Sequence, residues 1–227
     1  RVARELTPRW HLIIPDLPGH GATPLDDNAS ADSMSNTLID FARVLGLADY
    51  TLVGHSMGGA VAALVAMRAP DNVLSLNLIA PGGMAPDIDA DLLARFSKAS
   101  DADELERVIR EMAGPGLDVP EGYFQAAAEF RDAPGAMEAL TETYAAMFPD
   151  GPEKGQGVLP HAQLAELPMP VRVLWGSADM VLPCPDSDSL PANFELLVLS
   201  RAGHMLPEEK PAEVADFLRT AATSGVT

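Results

Sequence analysis

Apolar residues in this chain alternate between short runs that suit strands and longer stretches with helical spacing. That alternation predicts a parallel sheet covered by helices, an α/β architecture. The first run lies at residues 11–15, where Leu12, Ile13 and Ile14 stand before Pro15 and the glycine-rich turn PGHG at 18–21. Met34, Leu38, Phe41, Ala42 and Leu45 line one face of a helix predicted over residues 34–46, with Gly46 suited to its C-terminal end. A strand over 50–53 runs directly into GHSMGG, and an alanine-rich helix over 57–69 follows and stops before Pro70. Further strands are predicted over 73–80, 171–175 and 194–199. The last helix, over 211–220, carries Val214, Phe217 and Leu218 on one side.

Between residues 86 and 166 the pattern changes to helical, alanine-rich, acidic segments, broken by GPG at 114–116, Ala-Pro at 133–134 and DGPEKGQG at 150–157. This reads as a helical insertion placed to cover a site. It holds 17 acidic against 6 basic residues, and so carries much of the net charge of -18. No internal repeat interrupts the layout. The whole chain, at 227 residues with 47% hydrophobic and 21% charged positions, is long enough for one sizeable core and has a globular balance.

Gly54, His55, Ser56, Met57 and Gly58 form a G-x-S-x-G sequence directly after a predicted strand and directly before a predicted helix. A serine on so tight a turn has its hydroxyl lifted clear of the sheet, and glycines flank it where larger residues would clash. The N-terminal end of the following helix directs N–H groups at charge that develops beside Ser56. A hydroxyl needs a base before it attacks, so a carboxylate and a histidine are expected later in the chain, in the order Ser, acid, His. Asp179 follows the strand at 171–175 in Trp-Gly-Ser-Ala-Asp, and His204 follows the strand at 194–199 in Ala-Gly-His. Asp87 and Asp89 are rival acids in an acidic run. Asp16 is expected to fix its turn by hydrogen bonding, His55 to pack under the serine turn, His20 to belong to PGHG, and Cys184 to be a bystander; His11 and His161 have no evident partners.

Net negative charge disfavours binding to nucleic acid and to anionic membrane surfaces. No stretch approaches the length of a membrane span, no clustered Cys or His pair has metal-ligand spacing, and the single cysteine cannot form an internal disulfide. A soluble, cytoplasmic protein with no metal and no dissociable cofactor is therefore expected.

DLPGHG at 16–21, GHSMGG at 54–59, WGSAD at 175–179 and AGH at 202–204 stand in an order and at intervals that resemble the α/β-hydrolase superfamily over nearly the whole chain. The resemblance implies the α/β-hydrolase fold, with a core of residues 1–85 and 167–227 and a helical cap at 86–166. It also implies a triad of Ser56, Asp179 and His204, with the Met57 backbone N–H as one oxyanion donor. Within the superfamily, LIAPGGMAPDIDADLL at 78–93, MFPDG at 147–151 and Gly203-His204-Met205 look most like the hydrolase-like catalytic domain of the dihydrolipoamide acetyltransferase component of acetoin dehydrogenase. A serine at position 56 argues against the haloalkane dehalogenases, which place aspartate there.

The resemblance also marks a gap. The run at 11–15 looks like the family's fourth strand, so the earlier strands, one of which ends in a loop that supplies the second oxyanion N–H, are absent from this chain. The expectation is that the natural protein is longer or that another segment fills the gap; without that loop, one lost donor costs about 100- to 1000-fold in rate. The expected function is a serine hydrolase of esters, thioesters or related carbonyls acting on a small-molecule substrate. Its alternatives are an acyltransferase working in a multienzyme complex and a non-catalytic binding module on the same fold. A homo-oligomer is equally open.

Overall fold

The computed structural model describes residues 1–25 and 28–223. Four apolar runs pair into one parallel sheet: β1 (Tyr50–His55), β2 (Val73–Ile79), β3 (Val171–Gly176) and β4 (Phe194–Leu199), side by side in chain order. Register places His55 beside Ile79 and Gly176 beside Leu199, so the carboxyl ends of the strands lie along one edge. Around the sheet stand α1 (Val2–Leu6), α2 (Ala31–Val44), α3 (Met57–Arg68), α4 (Ala90–Lys98), α5 (Ala102–Met112), α6 (Tyr123–Arg131), α7 (Ala136–Ala146), α8 (His161–Leu164), α9 (Leu206–Glu209) and α10 (Pro211–Thr223). The predicted alternation of strand and helix is therefore present, and the segment at 86–166 contributes α4 to α8.

Successive residues of β2 are buried whichever face they point to, from Ser75 through Ile79, because helices cover both sides of the sheet. Leu76, Leu78 and Val173 are fully enclosed, and Trp175 fills the same core while its indole N–H donates to the Leu182 carbonyl at 3.0 Å. The outer strands read differently: Val53 on β1 and Val198 on β4 are each about half exposed. The alanine run of α3 lets that helix approach the sheet closely, with Val61, Ala63, Val65 and Ala66 buried. Arg68 at its end ties α3 to α2 through the Asp32 carbonyl and the Ser35 and Asn36 side chains.

Local signals set the helix ends. Ser30 caps α2 by accepting from the Ser33 N–H. At the other end Gly46 takes a left-handed conformation, and the N–H groups of Gly46 and Leu47 return to the carbonyls of Arg43 and Ala42. Asp89 and Asp101 cap α4 and α5 in the same way as Ser30. The helices of 86–166 hold a small apolar cluster of their own, in which Leu105, Ile109 and Ala113 of the α5 region meet Leu117 and Ala128.

Residues 11–15 are a correction. They form no strand, and Ile13 and Ile14 stand 39% and 74% exposed. An extended run becomes a strand only when a neighbour takes its hydrogen bonds. Among the described residues no strand lies on the outer side of β1, so this run has nothing to pair with. Ile13 and Ile14 instead line a groove with Thr37, Leu38 and Phe41 of α2.

Burial along β2 gives a direct test. Leu78→Ala, which empties a fully enclosed position, is expected to cost about 2–5 kcal/mol in chemical denaturation, whereas Leu74→Ala, on the same strand but 43% exposed, is expected to cost under about 1 kcal/mol.

Candidate active site

Ser56 sits between the last residue of β1 and the first of α3, with φ 53° and ψ -122°. That conformation is strained for a residue with a Cβ, at a cost of about 1–3 kcal/mol. Close packing holds it in place. A Cβ on Gly54 would lie 2.2 Å from the Gly58 carbonyl oxygen, and one on Gly59 would lie 2.8–2.9 Å from Pro81. The glycines of GHSMGG are not equivalent, however, because a Cβ on Gly58 would meet nothing within 4 Å. The steric need expected around the serine thus falls on Gly54 and Gly59. The Ser56 N–H donates to the Ile79 carbonyl at 3.0 Å, and the Ser56 carbonyl accepts from Gly82 at 2.9 Å, so β2 and the turn after it brace the serine from one side.

Asp179 and His204 follow the ends of β3 and β4, and the shared edge of the sheet brings both to Ser56. His204 Nε2 lies 2.9 Å from Ser56 Oγ, and Nδ1 lies 2.9 Å from Asp179 Oδ2. Both the imidazole and the carboxylate are buried. The other carboxylate oxygen, Oδ1, accepts from the N–H groups of Val181 and Leu182, each at 2.8 Å, which fixes the plane of Asp179. Met57 opens α3, whose first-turn N–H groups have no partner inside the helix. Beside Met57 lies a cavity of about 310 Å3, walled by Leu64, Gly82, Met147, Val158 and Leu159.

The rival acids stand elsewhere. Asp87 is exposed, and Asp89 is engaged as the cap of α4, with its Oδ1 2.8 Å from the Leu92 N–H. Asp16 accepts from the Ala22 N–H, as its turn requires. His20 bonds the Pro18 carbonyl and His161 the Met84 carbonyl, while His11 is exposed. Burial, with Asp179 and Asp186 nearby, pushes the Cys184 thiol above its usual range, which lowers its reactivity.

Three further side chains shape the site, of which the sequence pattern singles out only His55, as a residue packing under the serine turn. Glu209 Oε2 accepts from the N–H groups of Gly114 and Gly203, both at 2.9 Å, where two chain segments cross at close range. Gln156 accepts from the Gly83 N–H and donates to the Ala85 carbonyl, steadying the turn after β2. His55 donates from Nε2 to the His204 carbonyl at 2.7 Å, with the two rings 5.0 Å apart. Burial of the His55 ring, and after it the neighbouring His204, pushes its pKa down to about 3; the bond to the His204 carbonyl and the Asp179 charge offset only part of this. Among the described residues no cluster of three or more His, Cys, Asp or Glu could hold a metal ion, and no helix is long and apolar enough to cross a membrane.

The profile of the alpha/beta hydrolase family matches residues 1–217. The dihydrolipoyllysine-residue acetyltransferase component of the acetoin cleaving system of Cupriavidus necator is 30% identical over 94% of this chain and 57% of its own length. The chain thus spans little more than half of that relative. Human monoacylglycerol lipase ABHD6 is 25% identical over 96% of this chain and 68% of its own. A solved structure, the 2-hydroxy-6-oxo-6-phenylhexa-2,4-dienoate hydrolase of Rhodococcus sp. strain RHA1, superposes with a TM-score of 0.82 at 22% identity, over 98% of this chain and 83% of its own.

The low pKa of His55 sets a pH dependence of stability. Below the ordinary histidine value of about 6.5 the unfolded chain binds a proton on His55 that the native chain refuses until pH falls to about 3. Native stability is therefore lost as pH drops through that window, by up to about 1.4 kcal/mol per pH unit from this group. The denaturation midpoint of His55→Gln is expected to fall less steeply with acid than that of the parent; equal slopes would remove His55 as the cause.

Proposed function

Because the chain belongs to the alpha/beta hydrolase family, we propose that it is a serine-dependent hydrolase of carboxylic esters, thioesters or related carbonyls, with Ser56 as nucleophile, His204 as base and Asp179 as the group that orients His204. The observation that carries this reading is the unbroken hydrogen-bonded path from Ser56 through His204 to Asp179, with 2.9 Å at each step. Opposite a carboxylate, Nδ1 carries the ring proton, so Nε2 is left to accept from the Ser56 hydroxyl.

In the first half of the reaction Ser56 Oγ bonds the substrate carbonyl carbon while its proton passes to His204 Nε2. The carbonyl oxygen gains negative charge and is met by the backbone N–H of Met57 at the positive end of α3. Collapse breaks the bond to the leaving oxygen or sulfur, which takes the proton from His204, and the acyl group remains on Ser56. A water then gives a proton to His204 and attacks the acyl carbon, releasing the acid and restoring Ser56. In the same reading residues 86–166, with α4 to α8, form a cap over a core of residues 1–85 and 167–227, and the apolar cavity beside Met57 takes part of the substrate.

The 30% identity with the acetoin-cleaving acetyltransferase component supports a second reading, in which a thiol replaces water as the acyl acceptor within a multienzyme complex. Both readings share the acyl-enzyme.

Ser56→Ala is therefore expected to lower turnover of a p-nitrophenyl ester, or of an acyl thioester, by at least about 1000-fold and to abolish the mass increase caused by a fluorophosphonate. Parent-like turnover in that variant would end both readings.

A further inference from the structure

His55 is the second histidine at this site, and the proton path makes no use of it. Its place is nonetheless specific. It is the residue before Ser56, and its ring reaches across to the backbone of His204, 149 positions away, at 2.7 Å. A carbonyl only accepts, so Nε2 carries the proton and the ring is held in one tautomer. We infer that His55 is a positioning residue: its Nε2–H ties the backbone of His204 to the end of β1 that carries Ser56, and so sets the separation of base and nucleophile. This rests on the hydrolase reading above.

His204 uses Nδ1 on Asp179 and Nε2 on Ser56, while its N–H donates to the Met112 carbonyl at 2.9 Å. Those bonds orient the ring and fix the amino side of the residue, and His55 fixes the carbonyl side. Ser56 is held in turn by β2, through its N–H on the Ile79 carbonyl. The His55 side chain is thus a direct strut between two segments that share no strand pairing, since β1 and β4 are the two outer strands of the sheet. Loss of the strut would free the His204 loop by fractions of an ångström, and misplacement on that scale slows a reaction while leaving substrate binding largely intact.

Charge points the same way. His204 becomes a cation when it takes the Ser56 proton, and the His55 ring centroid stands 5.0 Å from its own. The low pKa keeps His55 neutral at ordinary pH, so it donates its hydrogen bond without placing a second positive charge against the transition state. A lysine or arginine strut would not share that property.

The test uses three variants. Gln carries an amide N–H at nearly the reach of Nε2, Asn carries one that falls short, and Leu carries none. Against p-nitrophenyl acetate, His55→Leu and His55→Asn are expected to lower kcat by about 10- to 100-fold with KM changed less than about 3-fold, while His55→Gln stays within about 5-fold of the parent kcat. Unchanged kcat in Leu and Asn, or a Gln variant as slow as Leu, would overturn the inference. A readout independent of turnover is the downfield His204 Nδ1 proton resonance, which reports the bond to Asp179. It is expected to persist in the parent and in His55→Gln and to broaden away in His55→Asn; a sharp, unshifted signal in His55→Asn would also overturn the inference. Ser56→Ala separates the two proposals: if that variant turns over as the parent does, the hydrolase reading fails, and the resonance still decides whether His55 positions His204.

Discussion

Parallel pairing of β1, β2, β3 and β4 aligns the carboxyl ends of all four strands on one edge, and residues separated by 148 and 25 positions in the sequence meet there. Each side chain of the Ser56–His204–Asp179 path belongs to a turn or loop that leaves a strand at that edge. Had one strand run the other way, its loop would have emerged at the opposite end of the sheet. Helices on both faces supply the burial that keeps the strands in register, and so β2, with apolar contacts on both sides, anchors the whole arrangement. Ser56 is bonded to Ile79 at the end of β2 and to Gly82 just beyond it, which makes a strand buried on both faces the reference for a strained residue.

Strained backbone gathers where the strands end. Ser56 holds an unfavourable conformation because Gly54 and Gly59 let the turn, the helix and Pro81 close around it, and enlarging either glycine would force backbone apart. Ala80 after β2 and Arg201 ahead of His204 also take positive φ, at 39° and 58°, and the side chains of the site are held by hydrogen bonds. Asp179 is fixed by two N–H donors, and His204 by bonds at both ring nitrogens and along its backbone. Rigidity here comes from many ordinary contacts that converge on few atoms.

Much of this was legible in the chain. The strand, glycine-rich turn and helix around Ser56 have short-range signals, and Asp179 and His204 each follow an apolar run by a few residues. The end of α2 at Gly46 is also local. The run at 11–15 misleads because an apolar strand and an apolar unpaired segment look alike until the neighbour is known, and pairing is a long-range property. Glu209, Gln156 and the role of His55 escape for the same reason: each works by reaching a backbone group that is distant in sequence, and nothing in the periodicity of a chain records where its carbonyls and N–H groups come to rest. Gly58 shows the converse error, since a motif glycine need not be there for space.

Where Glu209 bridges Gly114 and Gly203, the helical segment of residues 86–166 is fastened to the very loop that carries His204, and the Met112 carbonyl adds a third bond to the same seam. The end of α5 is consequently a poor hinge. Any swing of these helices that pivoted there would drag His204 away from Ser56, so movement of this segment and the hydrogen bonds of His204 are mechanically coupled.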